Sequence, residues 1–194
     1  QKGFKAVPLT GVKASLSFDN KLRRHRSKNV IGILPGRSRP DEYVLTSAHW
    51  DHLGQCEPAP DGDDICNGAV DNATGTAALL ALAEMNSKAG PAERSMVFIA
   101  FTAEESYLLG ADVYAANPVF PLEKTVGGVN MDSMLPMPPA RNVAMFGRGK
   151  SELDAYLDRA LAKLGRVNTP DPAPERGSYY RSDHFTLAKR GVPM

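Results

Sequence analysis

Short apolar runs alternate with helix-period segments along this chain, and neither an internal repeat nor a low-complexity linker interrupts them. That alternation predicts an α/β fold on a largely parallel sheet. Val12, Ala14, Leu16 and Phe18 alternate with Lys13, Ser15 and Ser17, the period of a half-buried early strand. Val30–Leu34 reads as a second strand, stopped by Pro35-Gly36. Further strands are expected over 42–48, 95–101, 125–131 and 142–146. The 95–101 run, S-M-V-F-I-A-F, is nearly all apolar, as a strand covered on both faces should be.

Helices fit between these strands. Thr74–Asn86 is rich in Ala and Leu, with Asn72 and Thr74 available as caps. Leu108–Ala116 ends before Asn117-Pro118, where proline forbids continuation. Ser151–Leu164 carries Leu153, Leu157, Ala160, Leu161 and Leu164 on one face and stops at Gly165. A shorter helix is expected over Ser182–Lys189.

Composition narrows the class. The 194 residues are 42% hydrophobic and 23% charged, ordinary globular values that exclude a disordered tail, a collagen-like repeat and a coiled coil. A chain of this length buries roughly 70% of its unfolded surface, so it needs no disulfide or metal merely to fold. The balance of 23 basic against 22 acidic residues argues against a nucleic-acid partner. The locally basic Lys21–Lys28 stretch reads as a solvated strand or loop. The longest apolar run, Ala77–Ala83, is far short of the ~20 residues that cross a bilayer, so no membrane span is expected. No feature of the sequence sets an oligomeric state.

Cys56 and Cys66 bracket a loop rich in Pro, Asp and Gly. They match no zinc-finger spacing and are either a disulfide or two free thiols. A bridge would point to an exported protein, periplasmic or secreted. The chain opens Gln-Lys-Gly-Phe, so it is expected to be one processed or truncated domain over 1–194.

The chemistry sits after the strands. Strand 42–48 delivers His49-Trp50-Asp51-His52, strand 95–101 delivers Glu104-Glu105, and strand 125–131 delivers Asp132. In open α/β sheets, ligands bind just outside the carboxyl ends of the strands. Asp71, in an N-G-A-V-D-N loop before a helix, and Asp183-His184, at the start of the last helix, can join them. Each has a bland reading alone: the glutamates suit a helix N-terminus, Asp71 a cap and Asp132 a turn. Together, histidines and carboxylates converging on one crevice are what a dinuclear oxygen/nitrogen metal site requires.

Five strings carry a resemblance: T-S-A-H-W-D-H-L-G (46–54), N-G-A-V-D-N-A-T-G (67–75), F-T-A-E-E (101–105), N-M-D-S-M (130–134) and R-S-D-H-F (181–185). In this order they closely resemble metallopeptidase family twenty-eight, which holds aminopeptidases, glutamate carboxypeptidase and glutaminyl cyclases. The resemblance implies a three-layer sandwich: a mixed, mostly parallel central sheet with helices on both faces. It also implies two Zn²⁺. His49 and Asp132 would bind one, Glu105 and His184 the other, and Asp71 would bridge them. Glu104 matches the general base, and Asp51 an acid that hydrogen-bonds the ligand imidazole; Asp183 is a further such acid, and His52 has no assigned role. The Asp71-Asn72 peptide is expected to be cis. Tyr179 or Tyr180 is a candidate oxyanion donor.

The activity so implied is a zinc metallopeptidase acting on peptides, and first an aminopeptidase. A carboxypeptidase or dipeptidase is the alternative, with Arg181 or Arg176 receiving the substrate carboxylate. Glutaminyl cyclase, which typically uses one zinc, and a non-catalytic receptor-like domain fit the intact ligand set less well. One departure stands out. The family commonly has Gly where this chain has Tyr107 (E-E-S-Y-L-L-G), which would narrow a pocket or alter a helix start.

Overall fold

The computed structural model describes residues 3, 5–8, 10–135 and 140–194. Among these described residues, eight strands and four α-helices follow in the order β1 (Val30–Leu34), β2 (Arg39–His49), β3 (Gly54–Gln55), β4 (Ile65–Cys66), α1 (Ala73–Ala89), β5 (Arg94–Phe101), α2 (Leu109–Ala116), β6 (Thr125–Asn130), β7 (Asn142–Ala144), α3 (Leu153–Lys163), β8 (Val167–Thr169) and α4 (His184–Ala188). The main sheet has the order β1-β5-β2-β6. β2 runs parallel to both β5 and β6, and β1 lies antiparallel on β5. The expected mixed, mostly parallel sheet is present.

The apolar run of β5 explains the layers. Val97, Ile99 and Phe101 face one side of the pleat, where they bury against Leu45 of β2, Ala111, Tyr114 and Ala115 of α2, and Leu187 of α4. Phe98 faces the other side and packs with Ala48 and with Leu79 of α1, flanked by Met96 and Ala100. Helices therefore cover both faces. Each fully buried Leu, Ile or Phe contributes about 1.5–3 kcal/mol, so this double coverage is the principal source of stability.

Register places the chemistry. His49 pairs with Phe101 and Ser47 with Asn130, so β2 and β5 end level and β6 ends opposite Ser47, close behind them. The segments leaving all three strands emerge along one edge.

Two strand expectations are corrected. Residues 12–29 form no regular element, and Val12, Leu16 and Phe18 are largely exposed. Alternation alone does not make a strand where no partner supplies backbone hydrogen bonds. The 142–146 strand is shortened to 142–144 and pairs outside the main sheet, parallel to β8.

Candidate metal centre

His49 is the last residue of β2 and fully buried. Its Nε2 lies 3.0 Å from Asp71 Oδ1, 3.3 Å from Asp132 Oδ1 and 4.0 Å from Glu104 Oε2. Its Nδ1 faces the Asp51 backbone carbonyl at 3.1 Å. The Asp51 carboxylate, expected on that imidazole, is 3.7 Å away and accepts instead from the backbone N–H groups of Glu104 and Glu105, at 3.0 and 3.3 Å. Asp51 thus anchors the turn that carries the glutamate pair, and its main chain fixes the histidine ring.

Local backbone geometry is unusual at these turns. Ala103, just before the pair, has φ 53°, and Ser133, just after Asp132, has φ 51°. Tyr107 and Leu108 follow at 64° and 62°, in the left-handed region that favours glycine. Tyr107, where the family commonly has glycine, is 93% exposed just before α2, so its side chain narrows no pocket.

The loop bearing Asp71 is tied down by its neighbour. The Asp71-Asn72 peptide is cis, as expected. The buried Asn72 side chain accepts from Gly75 N–H and Ser133 N–H through Oδ1 and donates to the Met131 carbonyl through Nδ2. A Cβ on Gly75 would collide with Asn72 Oδ1 and the Met131 carbonyl, so the helix start packs directly on the strand that delivers Asp132.

Among the described residues, two close groups of donor side chains result: His49, Glu104 and Asp132; and His52, Asp71 and Glu105. His52 Nδ1 lies 2.6 Å from Glu105 Oε1, a contact the sequence reading did not foresee. His184 belongs to neither group. It is buried on the wall of the same cavity of about 790 Å³, which Asp71, Glu104, Glu105 and Asp132 also line. Asp183, beside it, is fully buried. Tyr179 stacks edge-on against the His184 ring, centroids 4.9 Å apart, and Tyr180 is more than half exposed. Neither tyrosine lines the cavity, whereas Arg181 does.

The electrostatics match a site built for cations. Burial penalises charge on His49, but the Asp132 hydrogen bond and the charges of Asp132, Glu104 and Asp183 outweigh it and raise its pKa to about 9. Burial raises Glu104 to about 7 against the pull of His49, helped by Asp132, Glu105 and Asp71. Burial also raises Asp183 to about 8, with Glu104 adding to it. Asp132 moves down despite burial, because His49 and Ser182 hydrogen-bond its anion. Burial holds His184 below its ordinary value, so it is a neutral nitrogen donor.

Among the described residues, Asp71 Oδ1, Glu105 Oε1 and His184 Nε2 are buried and find no hydrogen-bond partner. Buried polar atoms are ordinarily satisfied. Carboxylate oxygens and imidazole nitrogens left in this state fit Zn²⁺. The Cys56–Cys66 disulfide closes the β3–β4 hairpin between His52 and Asp71.

The chain is similar to several known proteins. The aminopeptidase NAALADL1 of Mus musculus is 32% identical over 128 residues, covering 63% of this chain and 16% of its own length. A glutamate carboxypeptidase 2 homolog of Caenorhabditis elegans is 31% identical over 130 residues, covering 64% and 15%. The chain therefore spans about one sixth of the length of these curated relatives. The structure of a zinc aminopeptidase from Bacillus subtilis superposes with TM-score 0.62 at 26% identity, over 85% of this chain and 38% of that one. Residues 29–194 match peptidase family M28, and the chain belongs to that family.

Proposed function

We propose that this chain carries the catalytic centre of a two-zinc exopeptidase that removes N-terminal residues from peptides. The observation that carries the reading is Glu104: a nearly enclosed carboxylate with pKa raised to about 7, beside metal-type donors in one cavity. His49 and Asp132 would hold one zinc, Glu105 and His184 the other, and Asp71 would be shared between them. When bound, zinc supplies Lewis acidity toward the scissile carbonyl and makes a water ionisable near neutral pH. Glu104 takes the proton of the attacking water and returns it to the departing amine as the carbon–nitrogen bond breaks. A carboxylate with a pKa near ambient pH serves both transfers. Asp51 keeps Glu104 in place through its backbone N–H.

Arg181 on the cavity wall supports a second reading, a carboxypeptidase on the same centre in which its guanidinium receives the substrate carboxylate. The Cys56–Cys66 bridge supports an oxidising compartment, periplasmic or extracellular. The discriminating experiment removes metal, restores Zn²⁺, and compares a peptide with a free amino terminus against its N-acetylated form. The aminopeptidase reading expects cleavage of the free peptide only. Equal cleavage of both, with release from the carboxyl end, replaces it with the carboxypeptidase.

A further inference from the structure

His52 stands three residues beyond His49, past the end of β2, and lies outside the ligand set expected from the sequence. Strands β3 and β4 decide what it meets. Gly54 pairs with Cys66 and Gln55 with Ile65, so the same antiparallel register carried back by two residues sets His52 opposite Gly68. The approach there is close. A Cβ on Gly68, whose φ is 66°, would lie 2.7 Å from His52 Cβ, 2.9 Å from His52 Cγ and 2.8 Å from the Asp71 carbonyl oxygen. Only glycine admits that contact. The imidazole is thereby wedged against the backbone that leads to Asp71, and the Cys56–Cys66 bridge ties the hairpin that holds it there.

The wedged ring turns its Nδ1 to Glu105 Oε1, 2.6 Å away, and these two atoms and Asp71 Oδ1 all lie within 4.8 Å of one another. The three arrive from separate segments, one after β2, one before α1 and one after β5. All are buried, and among the described residues none finds a hydrogen-bond partner. Gathering three unpartnered polar atoms out of water is costly unless one group satisfies them together. An imidazole nitrogen with two carboxylate oxygens is a donor set for Zn²⁺.

We propose that His52 Nδ1 is a further ligand of the zinc on the Glu105 side, joining Asp71, Glu105 and His184 and displacing none of them. This inference rests on the two-zinc reading above. It makes the two ions unlike. The Glu105 side then offers four protein donors, the number that closes a structural zinc site. The His49 side offers three, namely His49, Asp132 and the shared Asp71, the number that leaves a catalytic zinc one open position. Glu104 belongs to that second side, with its Oε2 4.0 Å from His49 Nε2. The proton-accepting carboxylate and the open position thus fall on the same half of the centre.

The test uses the full chain with ¹⁵N-labelled histidine and ¹¹³Cd²⁺ in place of zinc. Its four histidines are few enough to assign individually by NMR. Cadmium should split a ring nitrogen of His49, of His184 and of His52, the last at Nδ1, and should leave His25 unsplit. This reading is made on the parent and needs no variant to fold. In parallel, zinc affinities are measured by competition with a chromophoric chelator. His52→Ala should weaken one of the two ions by at least the roughly 10–100-fold typical of residues that only orient ligands, and leave the other unchanged. Its melting temperature in EDTA should stay within a few degrees of the parent.

Cadmium coupling at His49 and His184 with none at His52 overturns the inference. So does coupling at His52 with none at His184, and so do unchanged affinities for both ions in His52→Ala. A parent chain that binds neither cadmium nor zinc overturns the functional reading instead.

Discussion

Replacing Glu104 by Gln should abolish turnover and yet stabilise the metal-free protein. The side chain is 10% exposed, and burial among Asp132, Glu105 and Asp71 raises its pKa from 4.5 to about 7. A carboxyl whose folded pKa exceeds its unfolded value binds more protons in the folded state, so its contribution to stability falls as pH rises between the two values. At about 1.36 kcal/mol per pKa unit, holding Glu104 ionised at pH 8.5 costs the fold about 3 kcal/mol. Gln has the same shape and no charge, so Glu104→Gln should recover most of that. At pH 5.5 the recovery should shrink to less than half, because the native carboxyl there is already protonated. The assay is urea or thermal denaturation in EDTA at both pH values; for a chain of this size the gain at pH 8.5 is roughly 6–12 °C in melting temperature. With zinc restored, the same variant should lose turnover by about 10²–10⁴-fold. Equal stability of parent and variant at pH 8.5 would refute the claim that Glu104 is held as a costly, proton-accepting group.

Other perturbations separate the remaining parts. Glu105→Gln should lower zinc content, whereas Glu104→Gln should retain it; metal analysis with the reverse outcome would mean the adjacent pair is assigned backwards. Tyr107→Gly should stabilise the chain by roughly 0.5–1 kcal/mol without altering turnover, because the left-handed φ of 64° penalises a side chain and not glycine, as denaturant titration would register. Replacing both Cys56 and Cys66 with Ser should cost about 3 kcal/mol on the chain-entropy account and expose the 56–66 loop to limited proteolysis before the sheet; simultaneous cleavage of both would contradict it. Ile99→Ala, in the layer between the sheet and α2, should cost about 2–5 kcal/mol, read as a shift of the urea midpoint.

The central strands were legible because burial on two faces forces an apolar run, as in S-M-V-F-I-A-F over 95–101, and such a run survives whatever packs against it. His49, Glu104-Glu105 and Asp132 were legible for a related reason: each lies at or just beyond the end of such a run. The 12–18 segment misled because period-two alternation says which face would be buried and not whether a neighbouring strand exists. Strands β3, β4 and β8 span two or three residues each, too short to show a period. Asn72 read as a helix cap, Asn130 as part of a strand and Ser182 as a helix start, since their partners at Met131, Ser47 and Asp132 meet them only in the folded chain. The approach of His52 to Glu105 and the exclusion of Tyr179 from the cavity likewise depend on how loops fold over the strand ends.

The central claim is that two zinc ions share this cavity. Crystals of the metal-depleted chain, soaked with Zn²⁺ and measured on either side of the zinc absorption edge, test it most directly. The account predicts two anomalous peaks about 3.5–4 Å apart, one beside His49 and Asp132, one beside Glu105 and His184, with Asp71 between them. A single peak, or a second ion ligated by His52 with His184 left aside, would contradict it.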